Sequence, residues 1–279
     1  MRLDNFIIMP NHVHGIIIID NSNNISYVIL PIGIMIILKY NSINMIKLIK
    51  NLRQTLSDNS NEQLRITTQH FFKEGVQCYG IRSATVGKIG KEYFKSIKEL
   101  SKAEIFGLCG ELWQSGFIEE SIIACDWSYN LNKKFEPADF RVFERWINTY
   151  VNNWASCDTF CNHTVGKFIE MYPTYLTELK RWTQSKNRWM KRAAAVSLIV
   201  PARKGLFLKD ILEIADILLL DGDDMVQKGY GWMLKVASQK HQEVVFEYVI
   251  ANKTLMPRTA LRYAIEKMPA ELRREAMIK

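Results

Sequence analysis

Trp154 and Asp158 stand four residues apart in Asn152-Asn153-Trp154-Ala155-Ser156-Cys157-Asp158, a spacing that puts both side chains on one face of a helix. An indole beside a carboxylate suits a cation, which gains from the ring quadrupole and from the negative charge. Arg192, in Asn187-Arg188-Trp189-Met190-Lys191-Arg192, and Trp232, in Gln227-Lys228-Gly229-Tyr230-Gly231-Trp232, are further candidates. Each has an ordinary reading. A tryptophan at helical spacing is usually core, an aspartate in a helix usually caps it or answers its dipole, and an arginine in a basic helix is usually solvated. The net charge of +8 adds a preference for an anionic partner such as nucleic acid or acidic lipid.

Other chemistry is less well supported. Cys157 and Cys161 lie four apart with His163 nearby, but no second ligand pair at finger-like spacing accompanies them, and no metal is assigned there. Five cysteines, without disulfide-rich spacing or a secretory leader, fit free thiols in a reducing cytosol, so a cytoplasmic location is expected. The apolar run from Tyr27 to Leu38 contains Pro31 and Gly33 and is shorter than the roughly 20 residues of a membrane span.

The elements that must position these residues read as helices. From about Met45 to Lys279, apolar residues recur at three and four. Ser101-Lys102-Ala103-Glu104 has the form of a capping box, and Pro137 suits the first turn of a helix whose apolar stripe is Phe140, Phe143, Trp146 and Ile147. Boundaries fall at Pro173, Asn187, Pro201, Asp223, Pro257 and Pro269. Many short helices with no long linker predict an all-α chain of stacked antiparallel pairs, of the HEAT or armadillo kind, with a compact bundle as the alternative because no strict repeat is visible. Gly87 and Gly90 fall inside an expected helix, where glycine costs about 1 kcal/mol against alanine.

Several separated stretches carry a family resemblance. Cys78-Tyr79-Gly80-Ile81-Arg82, Asn153 to Asp158, Arg188 to Ala194, Gln227 to Trp232 and Pro257 to Ala264, in that order, resemble the AlkD-like family of DNA alkylation repair glycosylases. The resemblance implies a HEAT-like solenoid that cups duplex DNA, and a monofunctional glycosylase releasing purines alkylated at N3 or N7, in a family regarded as acting on a base still in the stack. By position it implies Asp158 as the catalytic carboxylate, Trp154 and Trp232 as paired aromatics and Arg192 as the active-site arginine, placed either to grip a phosphate or to pair with Asp158. It implies no cofactor and no metal, and a monomer is expected. Lys180, Lys186, Arg188, Lys191, Arg203, Lys204, Lys228, Lys235 and Arg258 are candidate phosphate contacts. The competing reading is a non-catalytic HEAT-like scaffold that binds DNA or protein.

Residues 1–44 differ in kind: rich in isoleucine and asparagine, they read as strand near Phe6 to Ile19. Met9-Pro10-Asn11-His12-Val13-His14-Gly15 resembles the HUH segment of REP-associated tyrosine transposases, in which two histidines on a strand hold a divalent metal. Nothing after it continues that likeness. The expectation is a vestigial appendage over 1–44, Met45 as the natural start, and a repair domain over 45–279; metal-dependent strand nicking by the histidine pair is the third hypothesis.

Overall fold

The computed structural model describes the backbone of residues 2–9, 12–21 and 24–278, and the side chains of residues 44–278. The chain divides into two units, Met1–Thr55 and Leu56–Lys279. In the first, strands β1 (Arg2–Met9), β2 (His12–Asn21) and β3 (Asn24–Pro31) form an antiparallel sheet in that order. The single strand expected near Phe6 to Ile19 is thus two paired strands, with Met9 opposite His12. His12 and His14 lie on β2, but their side chains, and with them any metal-site reading, fall outside the described residues. The non-helical stretch ends at Pro31; the apolar run is shared between β3 and helix α1 (Ile32–Asp58), which continues across residue 44.

The second unit is helical. After the end of α1 come α2 (Glu62–Phe71), α3 (Ser83–Ile97), α4 (Lys102–Gln114), α5 (Ile118–Asn130), α6 (Asp139–Tyr150) and α7 (Trp154–Phe160). There follow α8 (Gly166–Met171), α9 (Leu176–Trp182), α10 (Arg188–Val196), α11 (Ile199–Arg203) and α12 (Leu208–Leu218). The last are α13 (Asp224–Ala237), α14 (Gln242–Asn252), α15 (Arg258–Ala264) and α16 (Ala270–Met277). A π-helical stretch, Cys161–Val165, joins α7 to α8.

Packing arranges these as the expected HEAT-like pairs. One layer runs α3, α5, α7, α10, α13, α15, each helix touching the next. Its partners, α4 on α5, α9 on α10, and α12 and α14 on α13, form the other layer. Inner helices range from 7 to 15 residues, so each pair has its own length and no fixed sequence period appears.

Local chemistry sets the boundaries. The Ser101/Glu104 capping box forms in full at α4, and Asn61, Asn153, Asn187 and Asp223 each accept an amide of the first turn with their side chains. Pro257 and Pro269 precede α15 and α16, and Pro173 opens a short 3-10 turn. Pro201 differs from expectation. It is the third residue of α11, inside the first turn, where a missing N–H removes no intrahelical bond.

The stripe on α6 is buried as its spacing requires: Phe140, Phe143, Trp146 and Ile147 all lie in the core. Phe140 stacks on Trp182 at 5.1 Å, and Phe143 meets Phe106, Phe160 and Phe168 within 6 Å, so one helix binds both layers. Burying each such ring contributes about 1.5–3 kcal/mol.

One polar device fixes the loop before α3. Glu119 is buried at the start of α5, and its carboxylate accepts the amides of Tyr79, Gly80 and Ile81 at 3.1, 2.9 and 3.2 Å. The Tyr79 hydroxyl donates to Glu120 at 2.7 Å. Gly80 has φ +79°, and a Cβ there would lie 2.4 Å from the Asn61 carbonyl oxygen. The stretch Cys78 to Arg82 is therefore a turn that only glycine can complete. Gly90 has a structural reason too, since a Cβ there would lie 3.2 Å from Ile123 Cγ1 of α5.

Two glycine substitutions should move stability in opposite directions. Gly80→Ala puts a side chain into left-handed backbone and against Asn61, and should cost at least about 1–2 kcal/mol. Gly87→Ala, in α3 with nothing within 4 Å of the added carbon, should gain about 0.5–1 kcal/mol. Urea unfolding of the two variants measures both.

Candidate active site

Helix α7 begins one residue after Asn153, which is buried and accepts the Ser156 amide at 2.9 Å while donating to the Ser156 hydroxyl at 3.1 Å. Ser156 in turn shares a 2.6 Å hydrogen bond with Ser121 of α5. The cap thus fixes where the first turn starts and how it faces α5. Trp154 is the first helical residue and Asp158 sits one turn later on the same side.

Arg192, in the middle of α10, meets Asp158 edge-on. Its Nε donates to Oδ1 and its Nη2 to Oδ2, both at 2.8 Å, and Nη1 donates to the Met225 carbonyl on α13. Both side chains are largely buried, 6% and 13% exposed. The guanidinium thus pairs directly with the carboxylate, one of the two arrangements left open from sequence.

Direct pairing does not lower the Asp158 pKa overall. Burial pushes the carboxyl above its ordinary value, and this outweighs the hydrogen bonds and charge of Arg192 that pull it down. For Arg192, burial works against the charge, but the hydrogen bonds and charge of Asp158 prevail and leave its pKa raised.

Trp232 comes from α13, where two glycines make space. A Cβ on Gly229 would lie 3.3 Å from Arg192 Cγ, and one on Gly231 would lie 2.8 Å from both the Ala260 oxygen and Tyr263 Cβ of α15. Gly229 and Gly231 thus seat α13 against the arginine on one side and α15 on the other. Trp154, Asp158, Arg192 and Trp232 all line one cleft of about 420 Å³. Five of the seven tryptophans are buried in the core; the two that are only partly covered are Trp154 and Trp232. The core reading thus fails for the pair that faces the cleft.

The cleft has further walls that sequence reasoning did not select, Phe71 at the end of α2, Lys73 and Glu74 from the turn after it, Met225 from α13 and Tyr263 from α15, and it also takes in Lys228 of α13, expected as a phosphate contact. Tyr263 lies within the stretch Pro257 to Ala264, so a signal existed; the Phe71 to Glu74 segment offered none, being distant in sequence. Phe72 stacks on Trp154 at 5.2 Å and 23°, with Phe71 edge-on at 5.9 Å. A second cavity of about 500 Å³ shares the Phe71 and Trp154 wall and is lined by Phe72 as well.

Most of the basic residues expected to face phosphates are already paired. Lys180 binds Asp210 and Glu213, Arg188 binds Asp223 and Asp224, Lys191 binds Asp221, Lys204 binds Glu170, Lys228 binds Asp224 and Lys235 binds Glu266. Arg258 reaches the Met277 carbonyl. Among the described residues, Lys186 and Arg203 have no carboxylate within ion-pair distance. Apart from Lys228–Asp224, which lies within α13, these ion pairs join segments about 30 or more residues apart within the solenoid itself, a role that local charge runs do not reveal. The five cysteines are free and buried, and burial pushes the thiols of Cys109, Cys125 and Cys157 up, away from nucleophilic or ligand chemistry. Among the described residues no three His, Cys, Asp or Glu side chains cluster as metal ligands, and no helix is long and apolar enough to cross a membrane.

Comparison with known proteins agrees with this arrangement. A protein of Enterococcus faecalis described as a predicted DNA alkylation repair enzyme superposes with a TM-score of 0.68 at 16% identity, covering 76% of this chain and 98% of its own. The smu.31 protein of Streptococcus mutans UA159 does so with a TM-score of 0.50 at 19% identity, covering 68% and 96%. At such identities the likeness concerns the fold. No curated protein matches the sequence. The family model described as DNA alkylation repair enzyme matches residues 52–268, most of the chain and all of the cleft. The chain belongs to the DNA alkylation repair enzyme family.

Proposed function

We propose that this DNA repair protein is a monofunctional glycosylase that hydrolyses the N-glycosidic bond of cationic N3- or N7-alkylated purines in duplex DNA, without cofactor. The observation that carries this reading is the convergence of Trp154, Asp158, Arg192 and Trp232 in one cleft, with the Asp158 carboxylate held edge-on by Arg192. An alkylated purine already carries positive charge, so it departs without the general acid that ordinary glycosidases supply. As the bond breaks, its electron pair goes to the base and positive charge passes to the sugar. Asp158 then stabilises the oxocarbenium-like state, and water adds to C1′. Trp154 and Trp232 hold the cationic base and deoxyribose, each contact being worth about 0.5–2 kcal/mol. Arg192 is a positioning residue. It fixes the carboxylate plane and favours the ionised form against the cost of burial.

Incubation with methylated duplex DNA should release 3-methyladenine or 7-methylguanine, and Asp158→Asn should slow release by about 10²–10³-fold, as for loss of one preorganised electrostatic group. Loss of base release with unchanged DNA affinity in that variant would set aside the scaffold reading. Wild-type protein that binds such DNA and frees no base would overturn the enzyme reading.

The raised Asp158 pKa has a signed consequence. Release needs the carboxylate, so kcat/KM should fall as pH drops through a value above the ordinary 3.8, with the enzyme-free rate subtracted. For stability the sign is reversed: folding disfavours the ionised form, so this group's contribution is greatest below the unfolded pKa and is lost as pH rises through the folded one. A pH profile of single-turnover release, beside unfolding midpoints over the same range, tests both directions.

A further inference from the structure

Glu74 is the second carboxylate of the cleft, beside Asp158. It comes from the turn after α2, and its Oε2 is closed off from solvent with no hydrogen-bond donor among the described residues. A carboxylate oxygen left in this state is destabilising unless something completes it. The other charges around the cleft are differently placed. Asp158 has both oxygens bonded to Arg192, so much of its field is cancelled at any distance beyond the pair. Lys228 is committed to Asp224 at 2.9 Å, and Lys73, an exposed residue of the cleft wall, acts on the same Asp224. Around the same space stand Phe71, Trp154, Trp232 and Tyr263, the ring faces that a cation prefers.

We propose that Glu74 is a second anionic contact of the cleft, reading the positive charge of the substrate independently of Asp158. This rests on the reading of the cleft as the site of a cationic lesion. Asp158, oriented by Arg192, serves charge that develops on the sugar; Glu74, without an ion-pair partner, supplies negative potential for charge already present when the substrate binds. It is thus a specificity residue, separating charged from neutral nucleotides in the ground state.

The test is a binding comparison that needs no turnover. Two duplexes are used, one carrying cationic 7-methylguanine on a 2′-fluorinated sugar that keeps the base from leaving, the other carrying neutral guanine on the same sugar at the same place. Wild-type protein should prefer the charged duplex, and Glu74→Gln, which keeps the side chain's shape, should reduce that preference by about tenfold, the order of one charge-assisted contact. Its affinity for the neutral duplex should not fall, and its unfolding midpoint should hold or rise because an orphaned charge is removed, whereas a merely structural role would lower it. Retention of the full preference in Glu74→Gln, or no preference in wild-type protein, overturns the proposal. A preference that depends on Glu74 in a protein that releases no base would instead sink the glycosylase reading and leave this contact standing.

Discussion

The edge-on pairing of Arg192 with Asp158 is the constraint around which this cleft is organised. Two opposite charges have been taken out of water, at a desolvation cost of several kcal/mol per ion, and only good geometry can offset that. Two parallel hydrogen bonds of 2.8 Å provide it, and the third nitrogen direction is used on the Met225 carbonyl, so the guanidinium ties α7, α10 and α13 together at one point. Removing either partner would strand the other charge, a loss of about 3–5 kcal/mol in comparable cases. The pair is therefore costly as a packing device, and its presence in a cleft wall points to use of the carboxylate.

The surrounding fold supplies what that pairing needs. Asn153 fixes the first turn of α7, Asn187 does the same for α10 and Asp223 for α13, so three side-chain caps set the helices that bring the charges together. Gly229 leaves room for the aliphatic part of Arg192, and Gly231 lets α15 approach closely enough for Tyr263 to reach the same cleft. Immediately after Asp158 the backbone passes into the π-helical stretch Cys161–Val165, a wider turn of a kind found often beside functional residues.

Much of this could be read from sequence, and for identifiable reasons. Caps and apolar stripes are local, so the Ser101/Glu104 box, the Asn187 and Asp223 starts and the α6 face follow from a few neighbouring residues. The four cleft residues were found through motifs spread over nearly eighty positions, which no local rule would have joined. What escaped was long-range. Phe71 and Glu74 reach the cleft from a turn some eighty residues upstream of Asp158, and the ion partners of Lys180, Lys191 and Lys204 lie about one helical pair away. The balance between burial and pairing at Asp158 also depends on depth, which spacing along a chain does not encode.

The Trp154 indole, stacked on Phe72, is one wall shared by two cavities. A shared wall makes the two spaces complementary: any swing of the ring that widens one narrows the other. On the function proposed above, a bulky adduct on the lesion and a small one would draw on the same reserve of volume, divided by a single side-chain torsion.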